Sequence, residues 1–159
     1  KSRYAPWAGG FGLNASWKGI SIAADFSWNY GKYLVNNDRY FTELDQYTSY
    51  SRNKDLLNRW EKPGDVAKYG KFGETVQFDS HLIEDASFLR LKNLTVGYSL
   101  PRKWMDKTGF MKGVRIYFTA RNLLTVTKYT GFDPEADTNL TYGRYPNSRQ
   151  FVGGLQLTF

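Results

Sequence analysis

Ser87-Phe88-Leu89-Arg90-Leu91-Lys92-Asn93-Leu94-Thr95-Val96-Gly97-Tyr98-Ser99-Leu100-Pro101 is the stretch on which the fold turns. From Leu94 onward it alternates: Leu94, Val96, Tyr98 and Leu100 fall on one face, Thr95, Gly97 and Ser99 on the other. Successive side chains of a strand point to opposite sides, so this is a strand with one apolar and one polar face. Nearer its start the phase is inverted. Phe88, Arg90 and Lys92 fall in the apolar row, and Leu89 and Leu91 oppose them. Either a bulge near Asn93 shifts the register, or the first third of the strand lies outside the apolar zone, where both faces can be polar.

The same alternation appears on both sides of this stretch. Downstream, Val114, Ile116, Phe118 and Ala120 oppose Arg115, Tyr117, Thr119 and Arg121. The closing strand places Phe151, Gly153, Leu155, Leu157 and Phe159 against Gln150, Val152, Gly154, Gln156 and Thr158. Upstream, Phe11, Leu13, Ala15 and Trp17 alternate with Gly12, Asn14 and Ser16. After the two-residue turn candidate Lys18-Gly19, a row of Ile20, Ile22, Ala24, Phe26, Trp28 and Tyr30 alternates with Ser21, Ala23, Asp25, Ser27 and Asn29. The reading is five antiparallel strands, at about 10–17, 20–31, 87–100, 114–128 and 149–159. Each has an apolar face, and no partner layer is evident. Eleven residues at ~3.3 Å each span roughly 36 Å, enough at a tilt of ~40° to cross the ~25 Å apolar band of an outer-membrane barrel.

The links sort by length. Lys18-Gly19 and the segment 101–113, with a helical turn at 102–107 stopped by Gly109, fall at one end of the sheet. Long polar loops at about 34–85 and 131–148 fall at the other, the first with a short helix expected over 52–62. Bacterial barrels have short periplasmic turns and long outer loops. A soluble sandwich, in which the apolar rows would be core, has no reason to sort its loops this way. The fold class expected is therefore all-β: an antiparallel transmembrane β-barrel segment that is not a closed domain on its own.

Composition narrows the alternatives. The 159 residues carry a net charge of +7, no Cys and one His. Without Cys there is neither a disulfide framework nor a thiolate metal site or nucleophile. The charge is scattered over turns and loops, with no zinc-finger spacing and no basic recognition helix, so no nucleic-acid partner is expected. Twelve Tyr, 11 Phe and five Trp fit strands that end in an aromatic girdle. No apolar run of spanning-helix length occurs, and Lys1-Ser2-Arg3-Tyr4-Ala5-Pro6 lacks the apolar core of a signal peptide. Either the chain stays in the cytoplasm or it is part of a longer one.

Several motifs then resemble one family. The stretch 87–101 resembles the strand near the C-terminus of SusC/RagA-type TonB-dependent transporters. Arg121-Asn122-Leu123-Leu124-Thr125, followed by Lys128-Tyr129-Thr130-Gly131-Phe132-Asp133-Pro134-Glu135, resembles that family's next strand and loop. Tyr145-Pro146 leading to Arg149 and the terminal Leu157-Thr158-Phe159 continue the match, and Trp60 with Pro63-Gly64-Asp65 resembles the preceding outer loop. The resemblance implies the last five strands of a 22-stranded outer-membrane barrel whose plug and other strands lie elsewhere. It implies import of an oligosaccharide or peptide beneath a SusD-like lipoprotein lid, energised by TonB through the plug. It also implies an assembly signal at Gly154, Leu157 and Phe159, from which Val152 departs, since the family prefers a polar residue there. A soluble β-sandwich carbohydrate-binding module and a passive porin-type barrel are the competing functions.

No catalytic set is found. His81 is alone, and Glu84-Asp85 are neighbours that need not face each other. Asp133, Glu135 and Asp137 are spaced like the start of a calcium loop, but its Gly and closing Glu are missing. No cofactor is expected; calcium in the outer loops is the one alternative left. The binding candidates are Asp25, Arg115, Tyr117 and Arg121 toward the lumen, for cargo or plug, and Trp60, Tyr69, Tyr142 and Tyr145 on the outer loops, for cargo or lid. The competing reading is a charge network in the lumen and ordinary packing in the loops.

Overall fold

In the computed structural model, residues 1–43, 51–74, 77–106, 109–138, 141, 143 and 145–159 are described. Tyr142 lies outside them. The ordered elements are β1 (Trp7–Trp17), β2 (Ile20–Tyr30), β3 (Tyr33–Val35), α1 (Asn37–Glu43), β4 (Ile83–Asp85), β5 (Phe88–Ser99), α2 (Arg102–Met105), β6 (Gly113–Thr127) and β7 (Gln150–Thr158). Five of the strands form one antiparallel sheet in the order β1-β2-β5-β6-β7, and β3 and β4 form a separate ribbon. The edges, β1 and β7, each pair on one side only, so the sheet is not closed.

Register puts every apolar row on the same face. Phe11, Phe26 and Leu91 are cross-strand neighbours, as are Leu13, Ala24, Leu94, Ala120 and Phe151, and Ala15, Ile22, Val96, Phe118 and Gly153. Aromatic pairs stack across strands on this face, Phe11 on Phe26 at 4.8 Å and Phe118 on Phe151 at 6.1 Å between centroids. Nothing among the described residues covers it: Val96 is 39% exposed, Phe118 48% and Leu155 60%. The sandwich expectation requires these side chains to be core, and they are surface. The opposite face carries Asn14, Ser21, Asp25, Asn93, Thr95, Arg115, Thr119, Arg121 and Gln156.

The inverted phase at the start of β5 is resolved by a bulge. Register shifts between Asp25 and Phe26 on β2 and between Leu91 and Asn93 on β5, leaving Lys92 out of both ladders. On β6 the irregularity takes up Asn122 and Leu123, with Asn122 at φ 52, a conformation Asn tolerates better than most residues. Leu89 and Leu91 thereby join the row of Leu94, and Arg90 turns to the polar face. Lys18 and Gly19 have φ 47 and 88, as a type I′ hairpin turn demands.

The long-link end is more ordered than a structureless loop. Residues 34–85 contain α1, β4 and two 3₁₀ turns, Lys54–Leu57 and Ser80–Leu82, and β3 runs into them. The helix expected over 52–62 is a single 3₁₀ turn. Asn53 caps it by accepting from the Asp55 amide, and Arg59 then bridges to Tyr69. Leu56 is buried while Leu57 is exposed, so the helical face read from Leu56, Leu57 and Trp60 does not form. The main buried cluster also lies here, built from Leu34, Ala86 and Tyr129 with Ala136 against them.

Candidate functional site: the polar face and the outer-loop cluster

On the polar face the side chains are braced mainly by their cross-strand neighbours. Asp25 faces Gly12 and Asn93, whose amide donates to its carboxylate at 3.3 Å. Arg121 sits on the other side of Asn93 and opposite Gln150, which sets Asp25, Asn93 and Arg121 in one row. Nearer the short-link end, Arg115 donates to the Ser21 hydroxyl at 3.1 Å, reaching across Gly97. Tyr117 lies over Gly154: a Cβ built at Gly154 would collide with the ring. Gly154, singled out for assembly, thus has a local packing role, and Tyr117 is held flat against the wall. Leu157 and Phe159 remain on the exposed apolar side.

At the long-link end, bulge and loop meet. Arg90 is 3% exposed. Its guanidinium donates to Asp133 at 2.6 Å, to Glu135 at 2.6 Å and to the Thr125 hydroxyl at 2.9 Å. Lys92, displaced by the bulge, reaches Glu135 at 2.5 Å. Two of the three acidic residues spaced like a calcium loop, Asp133 and Glu135, are thus drawn onto two protein cations. Burial tends to raise the Asp133 carboxyl, but donation from Arg90 and from the Glu135 and Asn147 amides outweighs it and holds Asp133 below the ordinary carboxylate range.

A second cluster joins the first outer loop to the second. Arg39 pairs with Glu43 and Glu84, each at 2.7 Å. Glu84 also receives the Thr130 amide and hydroxyl at 2.8 Å. Burial works against both ionised groups; the shared hydrogen bonds prevail, keeping Glu84 below its usual range and Arg39 above its own. Glu43 is 1% exposed and takes the Tyr69 hydroxyl at 2.9 Å, while its other oxygen faces His81 at 3.5 Å. Of the outer-loop candidates, Tyr69 is therefore tied to this cluster. Trp60 donates its amide to the Tyr69 carbonyl, and Tyr145 is 98% exposed. Arg39 and Glu43 carried no motif; Glu84 drew notice only beside Asp85, and Arg90 and Lys92 only within the stretch 87–101 and its broken phase near Asn93.

No protein-family model matches the chain. Among known proteins, TonB-dependent receptor P3 of Formosa agariphila is 33% identical over 94% of this chain and 16% of its own length. SusC, a TonB-dependent receptor of Bacteroides thetaiotaomicron, is 31% identical over 85% of this chain and 14% of its own. A solved structure of the RagAB peptide transporter superposes over 100% of this chain and 18% of that chain, with 51% identity and a TM-score of 0.92. The chain belongs to the TonB-dependent receptors, as a segment of their barrel.

TonB-dependent receptors are outer-membrane β-barrel proteins, and this receptor segment spans about a sixth of the relatives it matches. That relation gives its two faces their surroundings. In an outer-membrane barrel an apolar sheet face is the exterior and a polar one lines the lumen. An open edge in hydrocarbon leaves backbone groups unpaired, so β1 and β7 of the receptor need neighbouring strands.

Proposed function

We propose that this segment forms part of the wall and outer rim of a receptor that imports a nutrient across the outer membrane with energy delivered through TonB. The observation that carries the reading is the unbroken apolar face opposite a polar one, on a sheet with its long loops at one end. In this reading the segment is the C-terminal part of a 22-stranded barrel. The remaining strands and plug complete the tube, Asp25, Arg115, Tyr117 and Arg121 meet plug or cargo, and a SusD-like lipoprotein closes over Trp60, Tyr69, Tyr142 and Tyr145. Gly154, Leu157 and Phe159 form the part read during barrel assembly. This reading invokes no cofactor; Arg90 and Lys92 already occupy the Asp133 and Glu135 carboxylates that a calcium ion would use.

The cargo is an oligosaccharide or a peptide. A peptide is favoured by the 51% identity to a peptide transporter, against 33% to receptor P3 and 31% to SusC. The test is uptake of fluorescent peptides and oligosaccharides by cells with and without the complete receptor. Loss of peptide uptake on deletion, and its dependence on TonB, is the expected result. Uptake that persists without TonB contradicts the reading and favours a passive barrel.

A further inference from the structure

The short-link end of the sheet carries cations beside exposed aromatics, and no cargo or wall role given above uses those cations. Trp17 continues the apolar row of β1 and is 68% exposed, and the Lys18 ammonium stands 4.7 Å over its ring. That contact sets Lys18 on the apolar side of the hairpin turn. The Ser99 amide donates to the Gly19 carbonyl at 2.8 Å, tying this turn to the end of β5, from which Pro101 leads into α2. In α2, Met105 is buried, while Arg102, Lys103 and Trp104 are exposed. Further along, Phe110 stacks on Phe159 at 6.2 Å, and the Lys112 ammonium reaches the Phe159 carbonyl at 3.1 Å. Among the described residues, Lys18, Arg102, Lys103 and Lys112 share this end with one acid, Asp106.

We propose that this band binds the headgroups of anionic glycerophospholipids in the inner leaflet of the outer membrane. The proposal rests on the barrel reading, which sets the short-link end toward the periplasm. Trp and Tyr side chains favour the headgroup level, where the apolar body and the polar tip are both accommodated. A lysine or arginine beside them reaches lipid phosphate with its stem still on apolar surface. The charge selects the lipid, since a zwitterionic headgroup cancels most of the attraction. At the outer-loop end, by contrast, Arg39, Arg90 and Lys92 are each paired with carboxylates of Glu43, Glu84, Asp133 and Glu135.

The experiment uses the complete receptor in neutral detergent. Phosphatidylglycerol or phosphatidylcholine is titrated in, and retained lipid is counted by native mass spectrometry. Phosphatidylglycerol should be retained in preference to phosphatidylcholine. The triple variant Lys18→Gln, Arg102→Gln, Lys103→Gln should lose roughly 100-fold in apparent affinity, as three near-surface charges imply. Lys18→Arg with Lys103→Arg should keep it. Heat-modifiable migration on gels verifies that each variant is a folded barrel, so failure of the barrel reading is seen separately. Equal retention of both lipids by the folded receptor overturns the proposal, as does undiminished phosphatidylglycerol binding by the folded triple variant.

Discussion

Val96→Arg probes the facing of the sheet. Val96 lies on β5 between Ile22 and Phe118, on the apolar face. It is three residues from the strand end at Ser99, ~10 Å along a strand rising ~3.3 Å per residue. At a tilt of ~40° that is ~8 Å of depth in an apolar band ~25 Å tall, about two-thirds of the way to the midplane. An arginine costs ~2–4 kcal/mol at the midplane and ~0–1 near the interface, so ~2 kcal/mol is expected here. That is roughly a 30-fold shift in the folding equilibrium. The assay is urea-dependent folding of the complete receptor into lipid vesicles, followed by heat-modifiable gel migration. Arg115→Gln, on the other face and bonded to Ser21, is the control, with an expected cost under ~1 kcal/mol for one hydrogen bond. If Val96→Arg folds as well as wild type, or Arg115→Gln loses more, the facing is wrong.

Gly154→Val should displace the Tyr117 ring and cost ~1–3 kcal/mol by overpacking, whereas Gly153→Ala, with open space around it, should be near neutral; thermal melts of the two receptors decide. Arg90→Leu leaves Asp133 without its cation and Glu135 with Lys92 alone, so ~3 kcal/mol of loop anchoring should vanish and residues 128–149 should become the first site of limited proteolysis. Asp133 and Glu84 have folded pKa values below their ordinary ones. Their stabilisation is therefore full above the ordinary carboxylate range and disappears as pH falls through the lowered values. Hydrogen exchange of the Thr130 and Asn147 amides should accordingly be slow at neutral pH and speed up selectively in acid, beyond the intrinsic pH dependence seen in strand controls.

The sheet was legible because strand periodicity is local. Each apolar row follows from its own ten or so residues, and Lys18-Gly19 fixes one turn unaided. The bulge was half legible: the broken phase of Phe88 to Lys92 marked its place, but only the partner strands decide that Leu89 and Leu91 turn outward. The outer-loop cluster was not legible. Arg39 reaches Glu84 across 45 positions and Arg90 reaches Asp133 across 43, and no spacing rule relates such pairs. The helix expected over 52–62 failed for a related reason. Its apolar residues are shared between a buried Leu56 and an exposed Leu57, and the Asn53 cap favours a single tight turn.

The most direct measurement is the accessibility of nitroxide labels placed singly from Leu89 to Tyr98 in the membrane-embedded receptor. Labels at Leu89, Leu91, Leu94, Val96 and Tyr98 should collide preferentially with dissolved oxygen. Those at Arg90, Asn93, Thr95 and Gly97 should be shielded from it, with the alternation slipping by one residue at Lys92. A profile without alternation, or one in which the Leu94, Val96 and Tyr98 labels meet the water-soluble relaxant instead, would contradict the lipid-facing assignment.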